Sequence, residues 1–343
     1  MRGGEKVLEV LGGLSPAAPI YTLFHFPGTV SAAIESHPIV TSYLQRAPFA
    51  RRRYRYYLPL FPRAIEKLEL PGDCELVVSS SHCVAKGAIK PPGARHLCYC
   101  HTPVRYAWDQ RAAYFPGKGP LALVRHHLLD RLRAWDVATA GRVDTYVANS
   151  TFVADRIRRF YGREARVVHP PVDIDFFTPD GGPREPFALF VSALAPYKRI
   201  AEAVEACRRL GLELRVVGSG PERRRIERLG GPVRLLGRVD AETLRSLYRR
   251  ALCFVQPGVE DFGISSVEAL ACGCPVVARA EGGVLDIVED GRHGLLVPAS
   301  GGAAALADAI DKLRDLRFNS LDLRQRAELF AAARCTDTLR TLL

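Results

Sequence analysis

LCFVQPGVEDFGISSVEALACGCPVVA, residues 252–278, reads as strand, turn, helix and second strand in one unbroken pass. Leu252–Gln256 is a short apolar run, and Pro257-Gly258 breaks it. Ser266–Cys272 then carries apolar residues at helical spacing, Gly273 ends it, and Pro275–Ala278 is apolar again. Two apolar strands joined through a helix cannot be a hairpin. They run parallel, in a sheet covered on both faces.

Outward from this stretch the alternation continues. Toward the N-terminus lie the β-rich runs Val143–Asn149, Arg166–His169, Phe187–Ala193, Glu213–Gly218 and Val233–Leu236, and toward the C-terminus lies Leu295–Val297. Ile200–Leu210 and Ala241–Arg250 are amphipathic segments between strands. The first half offers strands at Ile20–Phe24, Glu75–Ser79 and Arg95–Cys100, with longer irregular inserts. The fold class is therefore α/β, with two doubly wound Rossmann-like domains expected to face each other across a cleft. His169-Pro-Pro-Val-Asp173 and the turn-rich Thr178–Pro183 mark the connection. The expected domains are residues 1–172 and 173–320, with 321–343 a final helix packing back on the first domain.

Composition limits the class of protein. Of 343 residues, 48% are hydrophobic and 25% charged, which suits globular domains. No apolar run reaches the ~18–20 residues of a membrane span, and the N-terminus lacks a secretory pattern, so a cytoplasmic protein is expected. The nine cysteines form no CxxC pair and read as buried thiols; no metal site is expected. The net charge of +11 falls entirely in residues 1–172, which hold twenty-four Lys and Arg against thirteen Asp and Glu. Such a half should meet something anionic: a membrane surface, a lipid phosphate or a nucleic acid. Arg51-Arg-Arg-Tyr-Arg-Tyr-Tyr57 interleaves rings with guanidinium groups, which suits a headgroup interface or single-stranded nucleic acid. Nothing else resembles a nucleic-acid module, so an anionic membrane surface is the expected partner.

Chemistry concentrates in Glu260-Asp-Phe-Gly-Ile-Ser-Ser-Val-Glu268. Glu260 falls in a strand-to-helix loop and Glu268 in the first turn of the helix. The N–H groups around Gly263–Ser266 lie at a helix N-terminus, where unpaired donors and the macrodipole stabilise an anion. Two carboxylates beside a phosphate nest make sense as acceptors for neutral hydroxyls, Glu260 for a sugar and Glu268 for a ribose. Lys198, in Ser192-Ala-Leu-Ala-Pro-Tyr-Lys198-Arg199, can place an ammonium on the same diphosphate.

These residues, with Ala269-Leu-Ala-Cys-Gly-Cys-Pro-Val-Val277 and Gly282-Gly283, resemble the retaining glycosyltransferases of family 4, which have the GT-B fold. The resemblance covers nearly the whole chain. It implies transfer of a hexose from a nucleoside diphosphate sugar to a glycan or lipid-linked acceptor, with no cofactor and no metal. Glu260, His101 and Lys198 would be catalytic. Glu268, Phe262, Gly263, Ile264, Ser265, Gly218 and Arg238 would bind the donor, although Arg238 fits a plain turn as well. The look is closest to bacterial mannosyltransferases of O-antigen and exopolysaccharide synthesis, so GDP-mannose is the first donor expected, at the inner face of the membrane. The pattern departs from the family at Ala193, where an Arg is usual. Arg199 or a residue of the first domain then substitutes, or transfer is weakened. A non-catalytic relative and a sugar-nucleotide 2-epimerase are the alternatives.

The N-terminal Gly3-Gly4 precedes apolar residues at helical spacing, as a phosphate loop would for the acceptor, yet no strand stands in front of it. The first strand of the domain is expected to be missing because translation was assigned to start too late.

Overall fold

In Arg95–Cys100 the residues Leu97 and Tyr99 turn to one side and Cys98 and Cys100 to the other, the period of two that a doubly covered strand needs. The computed structural model describes residues 3–111, 117 and 119–343; Met1 and Arg2 lie outside the described residues. The chain divides into Met1–Pro171 with Cys335–Leu343, and Val172–Arg334.

The first unit runs α1 (Gly3–Leu14), β1 (Ile20–Thr22), α2 (Ala32–Glu35), β2 (Ile39–Thr41), α3 (Ala50–Arg53), α4 (Phe61–Glu66), β3 (Leu76–Ser81), β4 (Arg95–Cys100), α5 (Pro120–Ala138), β5 (Thr145–Ala148), α6 (Thr151–Tyr161) and β6 (Ala165–Val167). Its strands form a parallel pair, β1-β2, and a parallel sheet in the order β3-β4-β5-β6. β2, too short to stand out between His37-Pro38 and Ser42, was not expected. Val7 and Leu11 of α1 pack with Leu97, Tyr99 and Val147 on one face of the larger sheet. Val153 and Ile157 of α6 cover the other face, against Cys98, Cys100 and Tyr146. Gly3 and Gly4 are the first turn of α1 itself, not a loop in front of it.

A buried ion pair ties the connection between β3 and β4 to α5. Lys86 and Asp136 are almost wholly buried, and Nζ lies 3.1 Å from Oδ1. Asp136 also accepts from Trp108 Nε1 and the Tyr161 hydroxyl, both at 2.9 Å, so the carboxylate's hydrogen-bonding capacity is largely met. That satisfaction is what makes a buried charge tolerable.

The second unit runs β7 (Glu185–Val191), α7 (Ile200–Arg209), β8 (Glu213–Val217), α8 (Arg223–Leu229), β9 (Val233–Gly237), α9 (Ala241–Arg250), β10 (Ala251–Gln256), α10 (Ile264–Ala271), β11 (Val276–Arg279), β12 (Gly294–Val297), α11 (Gly302–Asp315) and α12 (Ser320–Glu328). All six strands are parallel, in the order β12-β11-β10-β7-β8-β9. Phe187, Leu189 and Phe254 pack against Val267 and Leu270 of α10, and Ala188, Phe190 and Val255 against Ile200 and Val204 of α7. The chain winds outward from β7 to β9, then crosses back to β10 on the other side of β7. The winding therefore reverses between β7 and β10, where loops leaving the two strands diverge and a ligand can enter.

The tail is two helices rather than one. After α12 the backbone breaks, because Val172 N–H donates to Phe330 O and Ala332 N–H to Val172 O, each at 3.2 Å. α13 (Ala332–Arg340) follows, and its Cys335 and Leu339 pack with Val7 and Tyr99 of the first unit's core. All nine cysteines are free thiols, seven of them buried.

Candidate functional site

β7 and β10 each end in a loop at the reversal point, and the two loops deliver the two charged side chains. Lys198 stands on a single turn, Pro196–Lys198, and is 8% exposed. Its ammonium forms a direct ion pair with Glu260. The Glu260 backbone is clamped from a third loop, since Gly283 N–H donates to Glu260 O at 2.9 Å. Gly282 makes that approach possible: at φ +91°, a Cβ there would sit 2.5 Å from Glu260 O. Lys198 and Glu260 thus meet in this structure.

Gly263, at φ +109°, turns the chain into α10. The helix starts two residues earlier than its spacing suggested, so the N–H groups of Ile264 and Ser265 open the first turn, where a helix has no carbonyl of its own to receive them. Ser266 N–H turns back onto Gly263 O at 2.9 Å, and the Ser266 hydroxyl donates to Gln256 Oε1 at 2.7 Å. Glu268 consequently falls in the second turn, not the first. It is 7% exposed, and the fully buried Tyr248 donates its hydroxyl to Oε2 at 3.1 Å. Burial, with the Glu268 charge adding to it, holds the Tyr248 phenol well above its ordinary pKa, so this hydroxyl stays a donor. Phe262 lies in the core with its ring 5.5 Å from that of Phe330; it anchors the loop and presents no ring to a donor.

Gly218 follows the last residue of β8, and its N–H donates to Gly237 O at 2.7 Å and joins it to the end of β9. Arg238, the next residue after β9, reaches over this loop, with Nε 3.3 Å from Ser219 Oγ. Arg199, in a left-handed conformation at φ +53°, donates to Glu202 Oε1 at 2.6 Å, and Glu202 also pairs with the buried Arg279. As it stands, Arg199 is held by its own helix rather than turned toward Lys198.

His101 belongs to the first unit and follows β4 directly. Its Nε2 lies 2.8 Å from Ser80 Oγ, and the ring covers Gly4, where a Cβ would come 3.4 Å from Nε2. Desolvation pushes its pKa down to about 3, with His82 and Arg105 acting the same way. The imidazole is therefore neutral at physiological pH. As a neutral ring it exchanges hydrogen bonds, here with Ser80.

Several functional contacts carry no local sequence signal. Tyr248 is an ordinary apolar-face residue of α9, Gln256 closes an apolar strand, and Ser80 is one of three successive serines. A signal did exist for Gly282-Gly283, a doublet two residues beyond an apolar strand, but not for what it clamps.

Residues 22–176 match Glycosyltransferase Family 4, and residues 174–330 match Glycosyl transferases group 1. The two units are thus glycosyltransferase domains, and the fold is GT-B. The two matches together span residues 22–330, one on each α/β unit. It is 33% identical over 234 residues to D-inositol 3-phosphate glycosyltransferase 2 of Catenulispora acidiphila, covering 56% of this chain and 55% of that protein. It is 30% identical over 271 residues to D-inositol 3-phosphate glycosyltransferase of Mycobacterium bovis, covering 70% and 55%. The chain spans about half the length of the curated relatives it matches. Among solved structures, sucrose-phosphate synthase of Thermosynechococcus elongatus superposes with a TM-score of 0.77 at 21% identity, covering 98% of this chain and 90% of that one. Anabaena HepE, solved with UDP and glucose, gives 0.68 at 16%, covering 99% and 95%.

Proposed function

We propose that this protein transfers a hexose from a nucleoside diphosphate sugar to an acceptor hydroxyl with retention of configuration. The observation that carries this is the pairing of Lys198 with Glu260 beside the first turn of α10, where β7 and β10 diverge. A diphosphate arriving there meets the N–H groups of Ile264 and Ser265. It competes with Glu260 for the Lys198 ammonium, and Glu260 is released to accept hydrogen bonds from the hexose hydroxyls. The acceptor oxygen attacks the anomeric carbon on the face that the diphosphate leaves, and the departing phosphate takes the acceptor's proton. Lys198 and the helix N-terminus stabilise the charge that develops on the leaving group, so no metal is needed. Glu268 receives a ribose hydroxyl, with Gly218 and Arg238 beside the nucleotide. His101 donates a neutral hydrogen bond to the sugar.

GDP-mannose is the donor suggested by the sequence. The structural neighbour solved with UDP and glucose makes UDP-glucose the second arm of the test. The acceptor is a glycan or lipid-linked sugar, with inositol 3-phosphate added because the curated relatives are named for it. The basic first unit would hold the protein on an anionic membrane face; among the described residues no helix is long and apolar enough to cross a membrane.

The test is a thermal-shift panel of GDP- and UDP-sugars followed by product analysis. The correct donor raises the melting temperature by mass action. Lys198→Ala loses that shift, whereas Glu260→Gln keeps nucleoside diphosphate binding and loses transfer by at least about a hundredfold, on the order of 3 kcal/mol. Full transfer by Glu260→Gln sinks the assignment. Ala193 supports the second reading, a nucleotide-sugar binder without turnover, which predicts the thermal shift with no product.

A further inference from the structure

Between β2 and β3 the chain carries a stretch of one charge sign. Residues 36–65 contain six arginines and no Asp or Glu. Arg51, Arg52, Arg53 and Arg55 are all exposed, and none pairs with a carboxylate among the described residues. Beside them stand Tyr56, 81% exposed, Leu60, 40% exposed, and Phe49, 68% exposed.

Phe49 is unusual twice over. Its backbone is left-handed, φ +55° and ψ +25°, a region that a residue with a bulky side chain rarely adopts. The flanking hydrogen bonds hold it there. Ala50 N–H donates to Ala47 O at 3.1 Å, Arg52 and Arg53 N–H donate to Phe49 O at 2.9 and 2.8 Å, and the Tyr57 hydroxyl donates to Pro48 O at 2.6 Å. The strain does not serve the core, because the ring points outward, with the Arg53 guanidinium 5.2 Å from its centroid. Glycine at this position would remove both the strain and the exposed ring. A strained residue kept in place by its surroundings, with its side chain held in water, indicates a use outside the folded unit.

We propose that Phe49 and Tyr56 enter the headgroup–acyl boundary of an anionic bilayer, with Arg51, Arg52, Arg53 and Arg55 on the lipid phosphates. This rests on the membrane attachment proposed above and identifies the side chains that make it. Single-stranded nucleic acid fits less well. Bases need free aromatic faces, and here Arg53 lies over the Phe49 ring and Arg55 over the Tyr54 ring, 5.5 Å from its centroid. Immersion in an apolar boundary requires no free face, and guanidinium groups beside aromatics are suited to it.

The experiment is co-sedimentation of the full chain with vesicles of phosphatidylcholine, with and without phosphatidylglycerol. The protein should bind only the phosphatidylglycerol vesicles. The variant with all four arginines changed to Gln should lose that binding. Phe49→Gly and Tyr56→Ser should each weaken it roughly tenfold. Phe49→Gly should keep or raise the melting temperature, and neither single variant should alter the thermal shift given by a nucleoside diphosphate. If the parent protein ignores phosphatidylglycerol, or the four-Gln variant binds as well as the parent, membrane attachment itself fails. If those two behave as expected but Phe49→Gly or Tyr56→Ser binds like the parent, the two rings are not the entering groups. Retention of a single-stranded oligonucleotide under salt conditions where vesicles are not bound assigns the surface to nucleic acid and overturns the proposal.

Discussion

At the scale of single residues the proposed site consists of charges held by neighbours far away in sequence. Glu260 and Glu268 stood out because a helix start carries them eight residues apart, beside a glycine that must bend the chain. Their partners did not, because a core tyrosine has no local signature. Tyr248 lies twenty residues before Glu268 on another helix, and only the packing of α9 and α10 across β10 brings its hydroxyl to the carboxylate. A buried carboxylate that loses one donor reorients, and a reoriented Glu268 meets a ribose hydroxyl poorly. Tyr248→Phe should therefore weaken nucleoside diphosphate binding about 3- to 10-fold, measured by calorimetric titration. Glu268→Gln should weaken it at least as much, and the double variant should lose less than the sum of the two. Additive losses would mean that Tyr248 acts through the core and not through Glu268.

Elements were legible where a pattern is local and lost where a distant contact overrides it. β10, α10 and β11 follow directly from residues 252–278, and α9 was placed at its observed bounds, Ala241–Arg250. The break between α12 and α13 was missed because no Gly or Pro announces it: Val172, more than 150 positions earlier, captures the backbone around Phe330 and Ala332. Gly218 illustrates what a strand end asks of one residue. At φ +136°, a Cβ there would lie 1.9 Å from Ser192 O, a backbone atom that cannot yield without moving β7. Gly218→Ala should cost about 3 kcal/mol or more in denaturant unfolding of the second unit. Gly13, exposed in α1 with open space around its Cα, should behave oppositely, and Gly13→Ala should stabilise the first unit by about 0.5–1 kcal/mol. A loss at Gly218 no larger than about 1 kcal/mol would show that the close approach to Ser192 O does not govern there.

On the scale of the whole molecule, the charge excess of the first half was plain from the sequence, but the electrostatics of its core was not. His96 and His101 are both buried as neutral rings in the first unit. His96 lies between Ser79 Oγ at 2.8 Å and Arg142 O at 3.2 Å, and burial pushes its pKa down to about 4. His101 is pushed further, to about 3. In the unfolded chain each takes up a proton near pH 6.5, whereas the folded unit refuses it until pH 3–4. The unfolded state thus binds more protons throughout that window, and stability falls as the pH drops from about 6.5. The carboxylates that arginine, lysine or backbone partners hold below their usual range, among them Asp144 and Asp180, have ordinary values near about 4 in the unfolded chain, so the upper part of the loss, near about pH 6, belongs to the histidines. Calorimetric melting from pH 7 to 4 should show the first unit weakening by on the order of 3 kcal/mol for each of the two histidines. His96→Asn, which keeps a polar but smaller partner for Ser79 and cannot take up a proton, should lower the starting stability and flatten the slope. A slope unchanged in His96→Asn would place the acid sensitivity elsewhere. Because His101 is neutral over the same range, the pH dependence of transfer should show no limb from it between pH 5 and 8, even while the unit that carries it loses stability.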